Sequence, residues 1–162
     1  MIMKKRNLKF SVMAFALVAF SALTGLQSCK KDDTSLVIAA YMTTGNASGD
    51  QMKPVVTTTG SGTLSGTYTL ATHQWEYLIS WTTLSDIATT VQFRGPAVPG
   101  ADGVLISDLV VTSGGLSGSS SGTVTLTDAQ ATALIEGKVF YLISNPTHPA
   151  GEIRGQVQVT SR

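Results

Sequence analysis

From residue 36 onward, apolar and polar residues alternate in short runs broken by Gly, Pro, Asn and Asp, the period-two pattern of half-buried β-strands. The sharpest run is 75–81. Trp75, Tyr77, Ile79 and Trp81 fall on one face and Glu76, Leu78 and Ser80 on the other, because successive side chains of a strand point to opposite sides. A same-face aromatic row is either core or an exposed platform for stacking sugars. Core is expected here, since large rings on a central strand fill a sandwich interior. Further strands are predicted over 36–42, 62–70, 88–94, 104–111, 122–126, 139–144 and 153–159, about eight in all, with a brief Val55-Val56 pair after Pro54. The polar stretch 43–50 and the low-complexity 114–122 (GGLSGSSSG) read as loops, the second because such small side chains bury little surface. Thr127-Asp128-Ala129-Gln130 forms a capping box, which predicts a helix over 128–136 ended by Gly137. Without βαβ alternation, the expected fold is all-β: an antiparallel, Greek-key-like sandwich or barrel with one short helix before the last two strands.

The first 28 residues follow a different pattern. Lys4, Lys5 and Arg6 precede an apolar run over 10–23, shorter than the ~20 residues a transmembrane helix needs, and Leu26-Gln27-Ser28-Cys29 follows it. This arrangement resembles a bacterial lipoprotein signal peptide. The resemblance implies removal of 1–28 and acylation of Cys29, the only cysteine of the chain. Two or three acyl chains, at about 0.8 kcal/mol per buried CH₂, hold a membrane far more firmly than one. Acylation also disposes of a lone thiol that could form no disulfide within the chain. Residues 29–35 then form a linker whose Lys30-Lys31-Asp32-Asp33 resembles the charged signal that sends lipoproteins across the outer membrane. The expected location is therefore the outer membrane, lipid-anchored and surface-exposed, or facing the periplasm if 30–33 are only a solvated linker, with residues 36–162 as one β domain.

Charge narrows the partners. The chain carries eleven Lys/Arg and ten Asp/Glu, but Lys4, Lys5, Arg6 and Lys9 lie in the signal, so from Cys29 onward seven basic residues face ten acidic ones, a balance of −3. Nucleic-acid binding needs clustered cations to neutralise phosphates and is not expected. Gly118-Ser119-Ser120-Ser121-Gly122 matches the Gly-x-Ser-x-Gly elbow formally, and Ser120, Asp128 and His148 run in hydrolase order. The elbow requires a strand-to-helix turn in a parallel sheet, which this composition excludes. His73 and His148 are the only histidines and no Cys-x-x-Cys, His-x-His or His-Glu-x-x-His occurs, while Asp50, Asp86, Asp102 and Asp108 are scattered. No metal and no cofactor is expected.

The closing run Gly151-Glu152-Ile153-Arg154-Gly155-Gln156-Val157 resembles the C-terminal motif of the CHRD (chordin-like) domain. Gly60-Ser61-Gly62-Thr63, Tyr77 with Trp81 and Leu84, Arg94-Gly95-Pro96-Ala97, Gly122-Thr123 and Gly137 before Tyr141 echo the same family in order and spacing. Many CHRD domains carry a His-x-His pair before the Gly-Pro-Ala turn and another His at the end of the penultimate strand. Those positions are Gln92, Arg94 and Asn145 here, and neither an amide nor a guanidinium replaces imidazole as a zinc or copper ligand. Glu152 and Arg154 sit two apart, hence on one face of the last strand. They form either a recognition patch or an ion pair or hydrogen-bond clamp that pins strand register; the clamp is the expected role. Taken together, a non-catalytic envelope module that binds a protein or glycan through loops 43–53, 94–102 and 145–150 is expected, with Arg94 and Asn145 as candidate contacts. The alternatives are a metal-dependent or redox enzyme, which the missing histidines disfavour, and a purely structural envelope component.

Overall fold

The computed structural model of the protein describes residues 39–161. Cys29, the signal segment, the linker and the first residues of the predicted opening strand lie outside the described residues. Among the described residues ten strands are present: β1 (Ala40–Ser48), β2 (Ser61–Thr69), β3 (Gln74–Thr82), β4 (Thr90–Arg94), β5 (Leu105–Leu109), β6 (Val111–Ser113), β7 (Gly118–Thr125), β8 (Phe140–Ser144), β9 (Ile153–Gln156) and β10 (Gln158–Ser161). Every pairing is antiparallel, in the order β5-β4-β8-β9-β1-β2-β3-β7-β6, with β10 also on β1. The two ends of that order, β5 and β6, are consecutive in the chain and separated by Val110 alone. One bent segment thus pairs with β4 on one side and β7 on the other, and the Ser120 hydroxyl donates to the Val110 carbonyl at 2.7 Å across the bend. The sheet curls into a nearly closed barrel, which leaves little free edge.

The predicted aromatic row fills this barrel. Trp75, Tyr77, Ile79 and Trp81 are all buried. Phe93 of β4 stacks on Trp75 with ring centroids 4.0 Å apart and meets Tyr77 edge-on at 5.1 Å. The indole of Trp75 donates to Thr43 Oγ1 at 2.9 Å and that of Trp81 to the Gly115 carbonyl at 3.2 Å, so neither buried N–H is orphaned. Each such ring contributes roughly 1.5–3 kcal/mol by burial.

Rings of this size need small residues opposite them, and here the predicted strand pattern is corrected. Residues 118–121, expected as loop, belong to β7. Its register with β3 sets Gly118 against Trp81, Ser120 against Ile79 and Gly122 against Tyr77. A Cβ on Gly118 would lie 2.7 Å from the Trp81 ring and 2.1 Å from the Ser113 carbonyl oxygen. Residues 43–48, also expected as loop, continue β1 with Thr43, Gly45 and Ala47 buried. Gly45 faces the Tyr141 ring, whose hydroxyl donates to the Gly45 carbonyl at 3.3 Å. Val55-Val56 forms no strand. The strand count rises from about eight to ten because the segment 105–113 and the final 153–161 each divide in two.

The helix α1 (Asp128–Ile135) has both capping-box hydrogen bonds between Thr127 and Gln130 and ends at Gly137, whose φ of +69° only glycine adopts without strain. It precedes β8, whose Phe140-Tyr141-Leu142-Ile143 run shows no alternation because both faces are covered. Tyr141 and Ile143 enter the barrel; Phe140 and Leu142 form a second, smaller core outside it with Met52 and Ala97. Segments 49–56 and 95–103 cover this outer face and so wall in a cleft.

Candidate functional site

Three strands build the cleft floor in register. On its outer face Thr90 lies opposite Ser144, Gln92 opposite Leu142 and that opposite Arg154, and Arg94 opposite Phe140 and that opposite Gln156. The cleft above these rows measures about 530 Å³. All three loop segments singled out from sequence reach its rim: Lys53 from the first, Arg94 and Asp102 from the second, Pro149 and Ala150 from the third. A smaller neighbouring cleft of about 260 Å³, bordered by Asp50 and Gly100, shares Lys53 and Arg154 with it.

The two arginines are held differently. Arg154 is almost fully buried, its guanidinium 3.7 Å from the centre of the Phe140 ring. It donates to the carbonyls of Ala101 at 2.8 Å and Val98 at 3.3 Å and to Gln156 Oε1 at 3.3 Å, which ties loop 95–103 to β9. Burial pulls its pKa below the ordinary arginine value, and the nearby Asp102 charge pulls back in the opposite direction. Arg94 is half-buried and donates through Nε to the Gly103 carbonyl and through Nη1 to Gln92 Oε1, both at 3.0 Å. Gln92 in turn donates to Asp108 at 2.7 Å, so the amide that orients Arg94 is itself oriented. Among the described residues, no carboxylate lies within 4 Å of Lys53, Arg94 or Arg154.

Glu152 and Asn145 belong to a separate cluster at the start of β9. The Glu152 carboxylate is fully buried and accepts from the Ser85 amide at 2.9 and 3.1 Å, from the Ser85 hydroxyl at 2.9 Å, and from Thr58 Oγ1 and Asn145 Nδ2. Asn145 also donates to the Asp86 carbonyl at 3.3 Å and accepts from the His148 amide at 2.7 Å, which shapes the 145–150 turn. Burial pushes the Glu152 pKa up, but the hydrogen bonds from Thr58, Ser85 and Asn145 outweigh it and hold the group below its ordinary value. Gly60 makes room, since a Cβ there would lie 3.0 Å from Glu152 Oε1.

The structure therefore separates residues that the sequence placed side by side. Glu152 and Arg154 form no ion pair; the carboxylate takes neutral donors and the guanidinium takes carbonyls. Gln92 and Arg94 line the cleft with Arg154, whereas Asn145 turns to Glu152. Ser120 is buried inside the barrel, and Asp128 lies 3.3 Å from His73, so the formal hydrolase order does not assemble. Sequence reasoning missed Thr58 and Ser85, which lie 94 and 67 residues from Glu152, and nothing in their local pattern marks them. It also passed over Lys53 as a single residue; its place after a polar stretch and before Pro54 gave no sign of the cleft.

Comparison with known proteins supports the sequence resemblance. The CHRD domain family model matches residues 43–157. Neither a curated protein nor a solved structure matches the chain.

Proposed function

Since this chain belongs to the CHRD domain family, we propose that it is a non-catalytic binding module, held at the outer membrane by lipid on Cys29 and displayed on the cell surface. The observation that carries the binding role is the cleft: three separate loop segments converge on a floor set by three registered strands, the arrangement by which rigid β scaffolds present recognition groups. The lipid anchor is supported by the sequence around Cys29 and by its being the only cysteine.

Two measurements on cells making the full chain test this reading. Cys29→Ala should move the protein from the membrane to the soluble fraction while its barrel still melts cooperatively; persistent membrane attachment would remove the anchor. A photo-crosslinking residue at Ala150, on the cleft rim, should capture a discrete envelope component that the same residue at Thr132, exposed on α1, does not. Equal, diffuse labelling from both positions would remove the binding role.

A further inference from the structure

We propose that the cleft over β4, β8 and β9 binds the oxyanion of an acidic sugar, with Arg94 and Lys53 meeting the charge and Arg154 fixing the wall beside them. This rests on the binding-module reading above and adds the chemical class of its ligand.

Charge distribution is the first argument. Residues 39–161 contain only four Lys/Arg (Lys53, Arg94, Lys138 and Arg154) against eight Asp/Glu, yet three of those four cations line this one cleft. Among the described residues only one carboxylate, Asp102, lines it with them; Asp50 borders the smaller neighbouring cleft, and Asp108 is engaged by Gln92. Residues 39–161 thus gather their basic residues where, among the described residues, no carboxylate neutralises them at contact distance. Such a focus of one sign in a walled cleft attracts the opposite charge.

Donor accounting is the second argument. A guanidinium has five N–H donors in a fixed fork suited to carboxylate and other oxyanions. Among the described residues Arg94 spends two of them, on Gly103 and Gln92, and both partners hold it in place. The Asp108–Gln92–Arg94 chain keeps the side chain in one orientation before any ligand arrives, which lowers the ordering cost of binding.

The third argument selects a sugar. Thr90 and Ser144 supply hydroxyl groups along the cleft, partners for a polyhydroxylated ligand. The Phe140 ring, the one aromatic face of the floor among the described residues, is already capped by Arg154, so recognition runs through charge and hydrogen bonds. A volume of about 530 Å³ falls within the ordinary range for small-ligand clefts.

Titration calorimetry on the full chain with digalacturonate, galactose 6-sulfate and neutral galactobiose tests this. Digalacturonate should bind, and rising salt should weaken it several-fold because the contact is electrostatic. Arg94→Gln should weaken binding about tenfold or more, as expected for losing a charge-assisted hydrogen bond. Lys53→Gln, at an exposed position where folding is not at stake, should weaken it by a smaller factor. Binding of the sulfated sugar with the same Arg94 dependence would also support an oxyanion site. Binding of galactobiose as tight as that of digalacturonate, indifference of acid binding to both substitutions, or no binding of either acidic sugar would overturn the proposal. In that last case a component captured from Ala150 would keep the binding-module reading alive with a ligand of different chemistry.

Discussion

Glu152 and Arg154 stand two residues apart, both are buried, and they have opposite surroundings. The carboxylate at the start of β9 is saturated: Thr58, Ser85 and Asn145 direct their hydrogens at its two oxygens, and no cation approaches within ion-pair distance among the described residues. The guanidinium beside it belongs to a wall where, among the described residues, three cations meet one carboxylate and Arg94 retains unspent donors. A buried charge satisfied by neutral dipoles is a completed structure, and adding a ligand could only displace what is there. A charge held in place with donors to spare is a surface prepared for something else. In this domain the difference separates a latch from a site, although both grow from one short stretch of chain.

The latch side of that comparison carries the largest expected effect. Glu152→Ala removes the common acceptor of loops 58–60 and 85–86 and of the Asn145 turn, and leaves several part-buried donors without a partner. The expected loss is about 3 kcal/mol or more in urea unfolding, from hydrogen bonds to a charged group plus the desolvation of orphaned donors. A loss below about 1 kcal/mol would show that water or a rearranged loop replaces the carboxylate readily, and the distinction between latch and site would fail on its structural side.

Acid sharpens the same contrast. Because the folded Glu152 pKa lies below its ordinary value of 4.5, the unfolded chain takes up the proton more readily than the folded one. The stabilisation from this group is therefore complete above the unfolded pKa and is lost as pH falls through the folded pKa. The urea midpoint of the wild type should drop below about pH 4.5, and Glu152→Gln, which cannot titrate, should be less stable at neutral pH but show a flatter acid limb. Parallel acid limbs in the two proteins would mean that other carboxylates carry the transition.

How much of either region could be read in advance depends on whether its partners were local. The aromatic row of β3 and the capping box of α1 were legible, because a period of two and a Thr-x-x-Gln spacing are properties of neighbouring residues. β7 was legible only over its second half, as the strand expected from 122; its first half was not, since Gly118 and Ser120 carry the complement of Trp81 and Ile79 instead of a hydrophobic stripe of their own. Their period-two spacing of small residues was the signal available, and it has meaning only once β3 is set beside it. The unbroken apolar run of β8 announced burial but not that one of its two cores lies outside the barrel. Arg94 and Glu152 drew notice from the family resemblance, yet their roles depend on Lys53, Thr58 and Ser85. The fold carries each of these in from a different loop.

The smallest predicted effect is the one that decides the comparison. Arg94→Gln keeps an amide able to reach toward the Gly103 carbonyl, and the acceptors it abandons lie at a half-exposed position where water can take the guanidinium's place. The expected change in unfolding free energy is within about 1 kcal/mol, as for substitutions that leave no buried group unsatisfied. Circular dichroism should show the same strand signature in variant and wild type. If the substitution instead cost as much as Glu152→Ala, Arg94 would be a second latch, holding loop 95–103 against β4 through Gly103, and the spare donors would be incidental to its role. A near-silent variant leaves those donors without structural work, and the concentration of cations around them then calls for a ligand.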